Sequence, residues 1–89
     1  MYQLRLTSRA QRELDKLSTK NLVRVVGVLQ KLGDNPRPVG TRKLRGPIHR
    51  IRVGDWRVIY AVFDKENLVI IGKIARRSKD IYSGFNELF

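Results

Sequence analysis

The sequence predicts an α+β fold in which two helices pack on one face of a mostly antiparallel sheet. Apolar residues recur at helical spacing between residues 8 and 32, and three strand-like runs with short connections follow between residues 48 and 75. The predicted order is β-α-α-β-β-β, with a short helix at the C-terminal end. A chain of 89 residues supports one modest core, so we expect residues 1–89 to form a single domain.

The N-terminal third predicts one strand and a hairpin of two antiparallel helices. YQLRL at residues 2–6 alternates apolar and polar side chains, as a half-buried strand does. Ser8 followed by Gln11 fits a capping box that opens the first helix. STKN at residues 18–21 interrupts that helix, and Gly33 is the predicted C-cap of the second. The second helix is predicted by an apolar stripe: Leu22, Val25, Val26, Leu29 and Leu32.

The rest of the chain predicts a three-stranded meander. Its strands are residues 48–53, 56–63 and 67–75. Gly54 and Asp55 fit a two-residue type II′ turn, because glycine suits the first central position. VGTRKLRGP at residues 39–47 is basic and contains two glycines, so we expect an ordered loop that leads into the sheet.

Charge is the strongest compositional signal. The chain carries +11, and residues 37–57 alone hold seven basic side chains and one acid, a net charge of +6. Such a concentration favours a polyanionic partner, with nucleic acid first, an acidic protein segment second and an anionic membrane third. A solvated basic face that maintains solubility is the alternative. Twelve arginines against seven lysines favour bidentate phosphate contacts.

Composition also argues against several classes of protein. The chain has no cysteine, which is compatible with a reducing compartment and leaves no thiolate metal site. The run LVII at residues 68–71 is far too short to span a bilayer, so we expect a cytoplasmic protein without a membrane partner. One histidine and scattered carboxylates make no metal-ligand set, and neither a metal nor another cofactor is expected.

Counting outward from the turn at Gly54 predicts where the hairpin arginines lie. A two-residue turn fixes the register, so Arg52 faces Arg57 and Arg50 lies one pleat away on the same side. Like charges directly opposite each other destabilise a sheet, and no acid of the hairpin strands shares that face. We interpret this arginine face as a phosphate site; the alternative is a solvent-facing surface whose arginine stems cover apolar residues. His49 falls on the opposite, core face and is interpreted as structural.

The last strand ends in ARRSKDIY, which adds basic and aromatic side chains near the arginine face. Strand alternation allows only one of Arg76 and Arg77 to point toward that face. Tyr82 is either a core residue or, beside this basic run, a candidate for base stacking or proton transfer.

Three segments, in this order, resemble the RelE superfamily of bacterial and archaeal toxins, specifically its ribosome-dependent mRNA-cleaving branch. They are KLRG at residues 43–46, RIRVGDWRVIY at residues 50–60 and RRSKDIY at residues 76–82. The likeness covers nearly the whole chain. It implies metal-independent cleavage of mRNA in the ribosomal A site, through attack of a ribose 2′-OH on the adjacent phosphate. It also implies a cognate antitoxin, expected to be small, acidic and RelB-like.

The resemblance also implies roles for individual residues. The implied catalytic residues are Arg50, Arg52, Arg57, Arg77 and Tyr82. The remaining basic side chains of these motifs are expected to contact RNA: Lys43, Arg45, Arg76 and Lys79. Arg50 and Arg52 stand where the best-known members have lysines, and a guanidinium is a poor general base. Tyr82 is therefore the first candidate for proton transfer.

Two other functions remain open on the sequence alone. The related ParE branch shares the fold and poisons DNA gyrase, although its members generally lack the full basic-plus-tyrosine set. A noncatalytic basic module that binds ribosomal RNA would keep the arginine face and a salt-dependent affinity, and it would not need Tyr82.

Overall fold

A computed structural model describes residues 1–76 of the chain. Its elements are β1 Gln3–Leu6, α1 Ser8–Asp15, α2 Thr19–Asp34, β2 Thr41–Arg45, β3 Ile48–Val53, β4 Trp56–Phe63, a 3₁₀ turn Asp64–Glu66 and β5 Leu68–Arg76. The predicted α+β fold class is confirmed, with one strand more than predicted. The predicted C-terminal helix, Arg77, Lys79 and Tyr82 lie outside the described residues.

The five strands form one sheet in the order β1-β5-β4-β3-β2. β1 runs parallel to β5, whereas the other neighbouring strands are antiparallel. The predicted hairpin register is confirmed: Val53 pairs with Trp56, and Arg52 pairs with Arg57. Gly54 has φ +62°, as the first central position of a type II′ turn requires. Neither α1 nor α2, the helices of the part of the chain that the structure describes, has the length and apolarity needed to cross a membrane.

The segment predicted as a loop, residues 39–47, contains a strand. Thr41–Arg45 pairs antiparallel with β3 and forms one edge of the sheet. The two glycines that favoured a loop lie at either end of this strand, where Gly40 and Gly46 have positive φ. Between Lys43 and Arg45 the register shifts by one residue, which is a β-bulge.

Both predicted helix boundaries were wrong by one or two residues. The N-cap of α1 is Thr7, not Ser8, and the Thr7 hydroxyl accepts a hydrogen bond from the Ala10 backbone N–H at 3.1 Å. Gly33 is not a C-cap, because α2 continues to Asp34. The Gly33 carbonyl accepts from the Tyr2 N–H at 2.7 Å, and a Cβ at Gly33 would lie 3.4 Å from the Tyr2 carbonyl oxygen. This is an ordinary van der Waals distance, so β1 lies against the helix here without requiring glycine.

Both faces of the sheet bury apolar side chains. The face toward the helices carries the main core, which includes Val25, Leu32, Val58, Tyr60 and Ile71. A smaller cluster on the opposite face consists of Ile48 and Ile59, with Leu44 and Ala75 packed against them. The arginine face is thus a charged surface with an apolar centre.

A second bulge, in β5, decides which β5 side chains reach the arginine face. Tyr60 pairs with Ile71, but Ile59 pairs with Lys73, so Gly72 is an extra residue. Helix α1 and its cap hold the strand around this bulge: the Thr7 N–H donates to the Ile71 carbonyl at 3.0 Å, and a Glu13 carboxylate oxygen accepts from the Ile74 N–H at 3.0 Å. The bulge directs Lys73 toward the arginine face and Ile74 into the core.

Replacing Glu13 with alanine is expected to lower the free energy of unfolding by about 1–3 kcal/mol, because the Ile74 N–H would lose its acceptor. Glu13→Gln keeps an acceptor oxygen and is expected to cost less. Urea titrations followed by circular dichroism measure the difference, with Glu66→Ala as a control at an exposed acidic position. Equal stability of Glu13→Ala and Glu66→Ala would contradict the role of Glu13 at the bulge.

Candidate anion-binding site

Two pairs of arginines lie directly opposite each other on neighbouring strands. Arg52 pairs with Arg57 between β3 and β4, and Arg42 pairs with Arg50 between β2 and β3. Opposed Cα atoms in antiparallel strands are about 5 Å apart, and two residues along β3 separate the pairs by roughly 7 Å. Each pair places like charges side by side, which is unfavourable without a counter-charge. The sequence did not predict the second pair, because its composition favours a loop over residues 39–47.

The arginine face combines buried and exposed guanidinium groups. Arg50 and Arg57 are each 6% exposed, whereas Arg52 is exposed to solvent. The Nη1 atom of Arg57 donates to the carbonyls of Gly54 at 3.2 Å and Trp56 at 3.1 Å. These bonds fix one side of the Arg57 guanidinium against the hairpin turn. Two ion pairs within residues 1–76 lie elsewhere on the molecule: Arg9–Glu13 and Arg37–Asp64.

Arg50 carries a buried donor without an acceptor. Its Nε atom is buried and makes no hydrogen bond, because its cross-strand neighbours are Arg42 on one side and Ile59 on the other. Such groups are rare in folded proteins and call for an explanation. Arg50 also lines a cavity of about 320 Å³ together with Arg42, Lys43 and Leu44. An anion in this cavity would meet guanidinium donors from two strands, Arg42 of β2 and Arg50 of β3.

Lys73 is a basic residue of this face that the sequence did not reveal. It lies opposite Ile59, which in turn lies opposite Arg50. Without the bulge at Gly72, strand alternation would place Lys73 opposite Val58 on the core face. No local sequence signal indicates the bulge, since it depends on the contacts with Thr7 and Glu13.

The predicted RNA-binding residues do not all lie on one face. Lys43 borders the cavity but pairs with His49 of the core face, whereas Arg45 pairs with Ile48 at the edge of the arginine face. Arg76 instead pairs with Trp56 on the opposite face, where its guanidinium carbon lies 5.2 Å from the centre of the indole ring, a cation–π contact. Arg50, Arg52 and Arg57 share the predicted face, while their catalytic roles remain predictions.

His49 lies on the core face, as the strand alternation predicts. It is 4% exposed and its ring stacks on that of Tyr60 with centroids 5.6 Å apart. Its Nδ1 atom lies 2.8 Å from the Pro47 carbonyl oxygen, so Nδ1 carries the proton in this bond. Burial lowers the pKa of His49 below its ordinary value of 6.5, with nearby Arg37 and Lys43 acting in the same direction.

The lowered pKa of His49 makes the stability of the protein dependent on pH. Below pH 6.5 the unfolded chain binds a proton that the folded chain resists, so the free energy of unfolding should fall as the pH drops through and below 6.5. Above that value the contribution of His49 is fully present. His49→Phe keeps a ring on Tyr60 and removes the titration, so the variant should lose less stability than the wild type on acidification. Parallel urea titrations from pH 4 to pH 8 test this, and identical pH profiles for the two proteins would contradict it.

Comparison with known proteins agrees with the fold. The chain matches the family described as ParE toxin of type II toxin-antitoxin system, parDE, over residues 4–81. It is 38% identical over 81 residues to Toxin RelE of Mycobacterium tuberculosis, an alignment covering 86% of this chain and 82% of the relative.

Solved structures show the same similarity. The archaeal RelE–RelB complex from Pyrococcus horikoshii contains a chain with a TM-score of 0.81 and 27% identity, covering 88% of this chain and 97% of that one. The toxin-antitoxin complex RelBE2 from Mycobacterium tuberculosis gives a TM-score of 0.75 and 29% identity, covering 85% and 98%.

These matches cover most of the chain, and they show similarity in both fold and sequence. The chain belongs to the RelE/ParE superfamily of toxins from type II toxin–antitoxin systems. The relatives named above are of the RelE type, which confirms the resemblance to RelE-type toxins; cleavage of mRNA stays a prediction.

Proposed function

We propose that this toxin is a metal-independent endoribonuclease that cuts mRNA in the ribosomal A site and so inhibits translation. The observation that carries the proposal is the arginine face: two opposed arginine pairs, with Arg50 buried and its Nε unpartnered beside a cavity. A phosphate would give the buried Arg50 donor an acceptor and place a negative charge beside the Arg42–Arg50 pair.

The chemistry that fits this face is attack of a ribose 2′-OH on the adjacent phosphate. The bond from O2′ to phosphorus forms, the bond from phosphorus to O5′ breaks, the 2′-OH loses its proton and O5′ gains one. Negative charge grows on the phosphoryl oxygens during this displacement, and donors already held in place stabilise it selectively in the transition state. Arg57 is such a donor, because its guanidinium is fixed by the Gly54 and Trp56 carbonyls.

Proton transfer needs a group other than the arginines, because a guanidinium does not readily give up its proton. Tyr82 is the candidate proposed from the sequence. Lys73 is a second one, since the bulge at Gly72 orients it toward the arginine face and a lysine amine is better suited than a guanidinium to acid–base chemistry. Arg77 is proposed as a further clamp on the phosphate.

A cognate antitoxin is the proposed partner outside the ribosome. Two of the similar solved structures are complexes of toxin with antitoxin. A toxin with a net charge of +11 and a basic surface on one face of its sheet is well matched to a small acidic chain. Action on the translating ribosome implies that the toxin works in the cytoplasm.

A gyrase inhibitor is the second candidate. It is favoured by the description of the matching family as the toxin of the parDE system. The phosphate chemistry proposed for the arginine face has no obvious part in that activity, so the two candidates differ in what they need from Arg57.

Purified ribosomes translating a defined mRNA provide the discriminating experiment. Primer extension after addition of the toxin should show cuts inside translated codons and none on the same mRNA without ribosomes. A purified gyrase supercoiling assay with the same toxin preparation tests the second candidate. Intact mRNA together with inhibited supercoiling would overturn the nuclease proposal, and intact mRNA with salt-dependent ribosome binding would favour a noncatalytic module.

A further inference from the structure

We propose that the cavity between β2 and β3 is a second phosphate subsite, which binds a phosphodiester of single-stranded RNA next to the one held by Arg52 and Arg57. The inference deepens the proposed function and rests on it for the identity of the ligand as RNA. It assigns a role to Arg42, which none of the sequence motifs singled out.

The buried donor of Arg50 is the first observation that points to a ligand. Arg50 is 6% exposed and its Nε–H has no acceptor. Arg50 lines the 320 Å³ cavity, so an anion entering there can reach it. A phosphodiester oxygen would supply an acceptor of the charge and geometry that a guanidinium binds best.

The bulge in β2 is the second observation. The register shift between Lys43 and Arg45 makes Leu44 the extra residue, and Leu44 packs against Ile48 and Ile59. Arg42 and Leu44 share a face by ordinary strand alternation and line the cavity beside Arg50. The bulge brings Arg45 to the same face, opposite Ile48. The site offers charged donors on one side and an apolar wall at Leu44, as phosphate and sugar in one nucleotide unit require.

Its position relative to the first arginine pair is the third observation. Arg42 with Arg50 repeats the arrangement of Arg52 with Arg57 two residues further along β3. An RNA strand that crosses β3 can place consecutive phosphates against the two pairs. β2 is an edge strand and Arg42 is exposed, so the RNA has a route into the cavity from outside the sheet.

A titration with inorganic phosphate tests the occupancy of the cavity. The buried Nε–H group of Arg50 should give a resolved proton–nitrogen resonance that shifts on addition of phosphate and much less on addition of chloride at equal ionic strength. The resonance is assigned by its loss in Arg50→Lys. A stationary Arg50 resonance at phosphate concentrations that shift the Arg57 side chain would overturn the proposal.

Two uncleavable oligonucleotides test the identity of the ligand. A deoxydinucleotide has one phosphodiester and a deoxytrinucleotide has two, and neither has the 2′-OH that cleavage requires. The trinucleotide should bind roughly tenfold more tightly, and the plot of log affinity against log salt should be steeper by about 0.7 for the added phosphate. Arg42→Gln should remove most of this gain, whereas Arg12→Gln, the same substitution at an exposed position of α1, should keep it.

Failure of this inference is distinguishable from failure of the proposed function. If Arg42→Gln still binds the trinucleotide more tightly than the dinucleotide, and the toxin cuts ribosome-bound mRNA, only the proposed subsite is overturned. If the tighter binding of the trinucleotide depends on Arg42 but the toxin cuts no mRNA, the subsite is supported and the proposed nuclease activity is overturned. Spectra of each variant show whether the protein is folded. If Arg42→Gln is unfolded, the milder variant Arg42→Lys takes its place.

Discussion

Replacing Arg57 with alanine is expected to slow cleavage of ribosome-bound mRNA by roughly 10²–10³-fold, the usual cost of removing a donor that stabilises transition-state charge. Arg57 is buried and two backbone carbonyls hold its guanidinium in place. Such a donor needs no reorganisation when charge develops on the phosphate. Single-turnover cleavage on programmed ribosomes measures the effect directly.

Two further variants serve as controls for Arg57→Ala. Arg57→Lys keeps the charge and loses the planar fork, so it should recover only part of the rate. Arg12→Gln removes one exposed charge from α1 and should cleave at the wild-type rate. A folded Arg57→Ala protein that cleaves as fast as the wild type would show that the Arg52–Arg57 pair is not part of the catalytic site.

Inserting one alanine between Gly72 and Lys73 is expected to destabilise the protein more than any single side-chain replacement discussed above. If the pair Tyr60–Ile71 and the bulge are kept, the inserted residue lies opposite Ile59, and Lys73 moves opposite Val58 in the main core. Burial of an ammonium group among apolar side chains costs several kcal/mol, against a total stability of about 5–15 kcal/mol for a domain. We expect the cooperative urea transition to be lost or moved to much lower urea.

An insertion elsewhere provides the control. Val39 is fully exposed between α2 and β2, and one alanine inserted after it lengthens a turn without changing the register of a strand. This variant should keep a cooperative transition at moderately lower urea. Similar midpoints for the two insertions would mean that β5 absorbs the extra residue, and the register after Gly72 would then not decide which face Lys73 reaches.

Much of the candidate site follows from one short stretch of sequence. Gly54 and Asp55 define a two-residue turn, and such a turn leaves one register for β3 and β4. Counting residues outward from this turn predicts the opposition of Arg52 and Arg57 and the core position of His49, and both are confirmed. Local geometry suffices here because the strands follow each other directly. The roles of Arg77 and Tyr82 stay predictions, as they lie outside the described residues.

The sequence by itself determined the α+β class, the basic character and the arginines of the β3–β4 hairpin, because these depend on composition, periodicity and one tight turn. Only the tertiary structure decided that residues 41–45 form an edge strand, which brings Arg42 opposite Arg50. It also decided the bulge at Gly72, which Thr7 and Glu13 hold from α1 and its cap. A bulge changes side-chain parity by one residue, and its position depends on partners more than sixty residues away. Local sequence patterns carry no information on such distant partners. The cavity and the orientation of Lys73 could therefore be seen only in the tertiary structure.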